Sequence, residues 1–490
     1  MTIEEILAMT GVERKIALLK KGRRTEQPDR VTLWADWKPS LHEIMTNKEK
    51  YPDRSVLKED AKEIYDEAAG KTRTIPAKYE TQEVNRISIP LEQDIVNIQT
   101  AFTVGTEPTL DCIPNDDSEK KLLDALKAVF RTNKIKYRNK KIVRSWLSEQ
   151  EVAEYWYAVE DKSFWVKIWN KTKSVFGGKV KPRHRLKSVI WSPFRGDTLY
   201  PYFDDSGDMV AFSREYTKRD DEEREVKCFM TITANMVYQW EIGGAETKES
   251  AFVHGFSKLP VLYAYRSEAY CAKIKTQRVR LEKLLSNYAD CIDYHFFPLM
   301  KLIGDVEGFA GKTKDRIVKL TDGADAQYLT WAQVPDTIKF EAETLTNTAY
   351  DMTNTPRISF ETLKGIGKAS GTAFRFMFMG AHMAVENHAE DIGEFMQRRI
   401  NFLCSALGDI NTELEGASQT IDVDTELVPY LIDDLSDKVN TAVAATSGGV
   451  WSRREGILFA GNADRIDEEI REIEEEESER RKLAEPKSKE

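Results

Sequence analysis

The chain has 490 residues, of which 41% are hydrophobic and 31% charged, with a formal net charge of −10. That size predicts two or three domains with packed cores, and the composition is that of a globular rather than a disordered chain. No apolar run approaches about eighteen residues, which excludes a membrane span, and the acidic balance excludes a strongly basic nucleic-acid clamp while leaving room for DNA held loosely in an acidic conduit.

The first residues, MTIEEILAMTGVERKIALLKK, place acids ahead of the apolar positions, unlike a basic, apolar signal peptide. Ile3, Ile6, Leu7, Ile16, Leu18 and Leu19 predict one short amphipathic helix there. The rest of 1–80 is charged and interrupted, with aromatic spots at Trp34, Trp37 and Tyr51. It reads as an arm laid over another subunit or domain. Residues 85–105, NRISIPLEQDIVNIQTAFTVG, predict a helix after a short extended start, stopped by Gly105 and Pro108. A second helix is predicted over 119–133.

Over 152–245 the period changes to two. The runs VAEYWYAVE, SFWVKIWN, LKSVIWSPF, GDMVAFSREY and EVKCFMTITA, separated by turns such as DDSGD and KRDDEE, predict an antiparallel meander. Tyr155, Trp156, Trp165, Trp169 and Trp191 offer ring faces that suit base stacking. Packing favours the plainer reading of core aromatics.

Helix returns from about 277, where Leu281, Leu284, Leu285, Tyr288, Ile292, Phe296 and Leu299 form an apolar stripe that Pro298 ends. A strand-like excursion over 299–335 follows, with a glycine-rich turn at GDVEGFAGKT. Pro335 and Asp336 start another helix, with Ile338, Ala342, Leu345, Ala349 and Met352 in 4-3-4-3 spacing. Pro356 stops it. Gly365, Gly367 and Gly371 then give a segment backbone freedom, while Arg357, Lys364 and Lys368 supply cations that attract phosphate without reading sequence. The next apolar stripe, from Phe374 to Leu407, predicts a helix of roughly 50 Å, with bends invited at Gly380 and Gly393. The end of the chain reads as a charged helix, Ile466, Ile470 and Ile473 on one face, fraying into a solvated tail.

No residue pattern makes a positive case for catalysis. Gly311-Lys312-Thr313 lacks the leading glycine of a phosphate loop, Val306 standing in its place, and Gly367-Lys368 is followed by Ala369 instead of a hydroxyl residue. His382, Glu386, His388 and Glu390 lie close together, but a charged helix face explains them as well as a metal site does. The five cysteines are odd in number, far apart and without a CxxC, so neither a disulfide framework nor a zinc knuckle is predicted, and a reducing cytosol fits. Glu474–Glu477 reads as a solvated face or as a patch that repels DNA. Lys312, Lys314, Arg316 and Lys319 read either as an ordinary charged hairpin or as a docking surface for another protein.

Several stretches, in order, resemble the portal proteins of tailed bacteriophages, in particular the SPP1-like portal family. NRISIPLEQDIVNIQTAFTVGTEPTL is similar to that family's early helix ending in a glycine and a turn proline. KLPVLYAY and LEKLLSNYADCIDYHFF are similar to its proline-containing strand and first stem helix. ASGTAFRFMFMGAHMAVENH, with Ser370, Gly371 and Ala373, resembles the start of its long helix, and GGVWSRREGI with DRIDEEIREIEEEESE its closing turn and acidic C-terminal helix. The likeness covers most of 80–480.

The resemblance implies an α+β portal fold that forms rings, normally twelve-fold in virions. Its parts would be an N-terminal arm (1–80), an α/β wing (80–265), a stem helix (266–298) and a small β-containing clip (299–335). A second stem helix (336–352), a tunnel loop (353–371), a long bent wing helix with its following segment (372–424) and a helical crown with the acidic tail (425–490) would complete it. It implies a non-enzymatic, cofactor-free structural protein at one capsid vertex, made in the host cytoplasm, conducting double-stranded DNA during packaging and ejection. The implied partners are the terminase large subunit, head–tail adaptor and neck proteins, and major capsid and scaffolding proteins. Arg357, Lys364, Lys368 and Arg375 become DNA-channel candidates, Gly365, Gly367 and Gly371 hinges, and Lys312, Lys314, Arg316 and Lys319 clip docking candidates. The competing expectations are a DNA-processing enzyme, either a nuclease or a packaging ATPase subunit, and another virion structural protein.

Overall fold

The computed structural model describes residues 2–490 apart from 67–70, 161–183, 220–222, 243–247, 296–299, 304–305, 311–316, 321–324, 329–333, 358–375, 431–434, 462–465 and 485–490. The chain divides into two units, residues 1–357 with 381–429, and residues 358–380 with 430–490.

The first unit opens with α1 (Ile3–Ala8), closed by a Thr2–Glu5 capping box, and α2 (Val12–Lys21). The single helix expected here is broken, because Met9 is extended and Gly11 sits at φ 92°, a left-handed conformation that glycine adopts without a Cβ clash. Ile3, Ile6, Ile16 and Leu19 pack on Tyr200, Ala211, Phe229 and Trp240. Burial of such side chains contributes about 1.5–3 kcal/mol each, enough to fix these short helices on the sheet beneath.

α3 (Arg30–Trp37) is capped by Asp29, and Trp34 stacks on Phe194 with ring centroids 4.1 Å apart. α4 (Glu43–Thr46) follows. Residues 54–82 then form two antiparallel pairs, β1 (Arg54–Glu59) with β4 (Lys78–Gln82) and β2 (Lys62–Asp66) with β3 (Lys71–Ile75). The sequence carries no in–out alternation across β1 and β4 because both strands are exposed along their whole length.

α5 (Leu91–Val104), α6 (Asp117–Asn133) and α7 (Ile135–Glu149) supply much of the main core. Asp116 accepts from Ser118 N and Glu119 N to start α6, and Leu122, Leu126 and Phe130 recur on its buried face. Lys134, left-handed at φ 53°, turns the chain directly into α7, which sequence periodicity did not reveal. Its buried residues Ile135, Ile142, Val143, Trp146 and Leu147 are spaced for a helix, but basic residues fill the intervals.

The expected single meander over 152–245 is instead two sheets. β5 (Glu151–Glu160) and β6 (His184–Trp191) pair with β12 (Val261–Tyr265) in the order β12-β5-β6. The meander proper is five-stranded and runs on to Val253: β7 (Thr198–Phe203), β8 (Met209–Arg219), β9 (Glu225–Thr233), β10 (Met236–Ile242) and β11 (Lys248–Val253). One of its faces packs with Trp191, Val261 and Tyr263 of the three-stranded sheet, and the other receives α1 and α2. Trp156 and Trp191 are core residues, while SFWVKIWN with Trp165 and Trp169 lies outside the described residues.

α8 (Lys275–His295) and α9 (Val334–Met352) pack on each other, with an Arg280–Glu341 ion pair at 2.7 Å. Among the described residues, the apolar stripe expected to bury α8 does so only at Leu281, Phe296 and Leu299 lying outside them. Leu284, Leu285 and Tyr288 are half-buried, Ile292 is exposed, and the fully buried positions beside Leu281 are Arg278, Glu282 and Ser286. Between the two helices β13 (Met300–Ile303) pairs with β16 (Asp325–Tyr328), and β14 (Val306–Ala310) with β15 (Ile317–Leu320).

The long helix is α10 (Met379–His388), a π-helical turn at Ala389–Gly393 and α11 (Glu394–Ile410), followed by α12 (Glu415–Thr420). Phe395, Met396, Ile400 and Leu403 bring α11 into the main core. In the second unit α13 (Leu435–Ser447) and α14 (Arg453–Ala460) approach closely at Gly456, where a Cβ would lie 2.6 Å from Thr446 Oγ1. α15 (Ile466–Ala484) carries the acidic run, and Glu477 pairs with Arg453 at 2.8 Å. All five cysteines are free thiols.

Candidate functional site

The basic glycine segment begins from a fixed root. After α9, Thr353 N and Thr355 N both bond to Tyr350 O, Asn354 takes φ 47°, and Pro356 has no N–H to continue a helix. Gln99 on α5, fully buried, directs its Nε2 at Thr353 O (3.0 Å), Asn354 O (3.1 Å) and Thr355 Oγ1 (2.8 Å). The Tyr270 hydroxyl donates to Thr353 O at 2.6 Å. Burial pushes that phenol far above its usual range, so it stays a neutral donor. Arg357 is exposed beyond the root and donates to Asn347 Oδ1 at 3.0 Å.

The structure thus places Arg357 at the foot of the segment. Lys364, Lys368, Arg375, Gly365, Gly367 and Gly371 lie outside the described residues, as do Lys312, Lys314 and Arg316. Lys319 stands on β15 opposite Gly308.

Beside this root lies an ionic cluster that the sequence reading did not find. Arg278, 1% exposed, faces Asp36 (2.9 Å), Glu92 and Glu282 (3.5 Å), and Lys275 joins Asp36 at 2.8 Å. His42 Nε2 lies 3.1 Å from Asp36 O, a carbonyl that can only accept, so Nε2 carries a proton. His42 Nδ1 lies 2.5 Å from Glu282 Oε1, which also accepts from Ile89 N at 2.9 Å. His42 thus bridges the Asp36 carbonyl and the Glu282 carboxylate. Burial pushes Glu92 up to about 7 against the pull of Arg278. The cluster ties the segment 36–42, α5 and the foot of α8 together. Its sequence signal was the Arg278–Glu282 spacing of four on α8.

Of the four residues weighed as a metal set, His388 is buried, bonded through Nδ1 to Thr103 Oγ1 at 3.0 Å, and edge-on to Trp146 and Tyr270. Thr103 spends its proton on Gln99 O, so Nδ1–H is the donor. Burial, with Arg266 and Lys273 nearby, pushes His388 down to about 3. Glu386 and Glu390 are exposed. Among the described residues no three His, Cys, Asp or Glu side chains come together as metal ligands, and no helix is long and apolar enough to cross a membrane.

Among known proteins, the family model for the phage portal protein, SPP1 Gp6-like, matches residues 30–483. No curated protein matches the chain. A chain from a solved structure described as the virion of a native gene transfer agent (GTA) particle shares 13% identity, with 76% of this chain and 88% of that chain covered. Its TM-score is 0.35, too low to carry an argument. The family match spans nearly the whole chain, and the chain belongs to the SPP1 Gp6-like phage portal proteins, structural components of the virion.

Proposed function

We propose that this chain closes into a ring of about twelve copies at one capsid vertex, and that double-stranded DNA passes through it during packaging and ejection. The observation that carries the reading is the clamped root at 353–357, found in a chain whose family match runs from 30 to 483. A loop that meets moving DNA needs a fixed base and a compliant tip, and the three glycines beyond Arg357 provide compliance in sequence. Residues 353–371 are the tunnel loop in this reading, with Arg357, Lys364, Lys368 and Arg375 facing phosphates non-specifically.

In the same assignment 1–80 is the arm, 80–265 the wing, 266–298 and 336–352 the stem, and 299–335 the clip. Residues 372–424 are the long wing helix with its following segment, and 425–490 the crown. The half-buried Leu284, Leu285, Ile338 and Leu345, with Phe340 71% exposed, leave α8 and α9 an apolar surface that a head-to-tail neighbour would cover. Lys312, Lys314, Arg316 and Lys319 offer a basic clip surface to the terminase large subunit and later to the head–tail adaptor. Major capsid and scaffolding proteins are the remaining partners. The family is structural rather than catalytic.

Class-averaged electron microscopy and native mass measurement of the purified protein test the reading. Rings of about twelve subunits with a central hole are expected. A monomer that cleaves DNA in the presence of divalent metal would defeat it.

A further inference from the structure

The chain is acidic overall, at −10, yet residues 131–144, RTNKIKYRNKKIVR, contain no acid at all. This stretch covers the end of α6 and most of α7. At the corner between the two helices Lys134 and Arg138 join Arg185 and Lys187 of β6 around a cavity of about 230 Å³. Thr132, Asn133, Leu186 and Ser188 complete the described lining, in which no residue is acidic.

The corner is built rather than incidental. Asn133 Nδ2 donates to Val129 O and Leu186 O, both at 3.0 Å, pinning the end of α6 to β6. Arg185 and Lys187 are two apart on β6 and both exposed, while Leu186 and Ser188 between and beyond them are buried. Arg138 Nη1 donates to Ser188 O at 2.9 Å, while its Nε makes no hydrogen bond and meets Glu154 Oε1 only as an ion pair at 3.9 Å. The nearest carboxylate, Glu154, is 3.9 Å from Arg138 and is already committed to Arg399 Nε at 2.8 Å and to the Ser188 hydroxyl at 2.7 Å. One buried carboxylate between two guanidiniums leaves positive charge in excess beneath the cavity.

We propose that this corner is a phosphate-binding site for a nucleic-acid backbone, a DNA contact separate from the loop at 353–371. The arrangement fits a polyanion better than a single carboxylate. Lys136, Lys140 and Lys141 continue the charge along α7, and the first ten residues of that helix span about 15 Å, the length of several phosphates at roughly 3.4 Å per strand. Tyr137, 63% exposed between Lys136 and Arg138, adds a ring face where backbone and base edges pass. The site reads no base, so its contribution is sequence-independent and salt-sensitive. It requires neither the ring nor the tunnel loop.

The test is fluorescence anisotropy of a labelled mixed-sequence duplex of about 20 base pairs against the full chain over a salt series. The variant is Lys134→Asn with Lys187→Glu, asparagine being tolerated in the left-handed backbone at 134. Affinity should fall about tenfold and the slope of log K against log salt should lessen by about two, with thermal unfolding unchanged. Unchanged affinity and slope would overturn the proposal. So would retained DNA affinity with lost self-association, which would give the cavity to an acidic segment of another copy. The Lys364→Glu, Lys368→Glu variant separates the two DNA contacts: if it alone abolishes all binding, the α6–α7 corner contributes nothing and the proposal fails.

Discussion

His42 Nδ1 and Glu282 Oε1, far apart in the chain, meet at 2.5 Å at the foot of α8, with both side chains almost fully buried. The geometry makes His42 a structural residue: it links the segment 36–42 to α8 and pairs with a carboxylate that Arg278 meets only at 3.5 Å. His42→Leu leaves Glu282 buried beside a distant cation and should cost roughly 3 kcal/mol, the usual loss when one partner of a buried pair is removed. Denaturant unfolding with an unchanged m-value measures it. A loss below about 0.5 kcal/mol, the scale of ordinary surface substitutions, would show that the pair does not hold residues 36–42 to α8.

Two buried groups give the protein opposing pH dependences. His388 has its folded pKa lowered to about 3 from the usual 6.5, so the unfolded chain binds the extra proton between those values. Its contribution is full above about 6.5 and is lost as pH falls, at up to about 1.4 kcal/mol per pH unit. Glu92 has its folded pKa raised to about 7 from 4.5, so the folded chain binds the extra proton in that window and stability declines as pH rises from 4.5 to 7. His388→Gln keeps an N–H for Thr103 and should flatten the acid limb of the stability curve. Glu92→Gln should flatten the decline between 4.5 and 7. Unfolding midpoints across pH 4–8 check both signs.

The root of the basic segment gives a sharper contrast. Tyr270→Phe removes one hydrogen bond to Thr353 O and leaves the ring against His388. Gln99→Ala removes the donor that spans Thr353, Asn354 and Thr355. Expected losses are about 1 kcal/mol for the first and about 2 kcal/mol for the second, which removes one buried donor shared by three acceptors while Thr353 O keeps the Tyr270 hydroxyl. Both variants should speed tryptic cleavage after Arg357, Gln99→Ala more. Equal cleavage rates in all three proteins would mean that the root is not what holds Arg357 back.

These contacts explain which parts of the fold were legible in sequence. The helix predicted over 119–133 is α6, whose buried Leu122, Leu126 and Phe130 keep helical spacing, and Pro356 announced the end of α9. α7 was hidden because Lys136, Arg138, Lys140 and Lys141 fill the intervals between its buried residues. The break at Gly11 depends on the sheet that α1 and α2 cover, and the division of the meander depends on β12, which reaches β5 from beyond the five-stranded sheet. The inward side of α8 misled the pattern most. Arg278, Glu282 and Ser286 look like a solvated face until Asp36, Glu92 and His42, all distant in the chain, arrive to partner them. Of the candidate site, the charges and glycines were visible as residue types, whereas the Gln99 clamp is a long-range contact that leaves no local pattern.

The last prediction concerns the charge beyond that clamp. Each copy carries −10, so a ring of about twelve would surround DNA with a largely acidic wall, and a duplex with a phosphate every 1.7 Å or so would be repelled toward the axis. A thin girdle from Arg357, Lys364 and Lys368 would then act as a light brake, strong enough to centre the duplex and too weak to stall it. Lys364→Glu with Lys368→Glu reverses that girdle while leaving Gln99, Tyr270 and the hinge glycines untouched. Rings should still form by electron microscopy. DNA packaged per particle, or DNA retained after packaging, should differ from the parent chain, and the difference should shrink as salt screens the loop. If rings form and both quantities match the parent at every salt concentration, the cations of this loop do not touch the DNA that passes it.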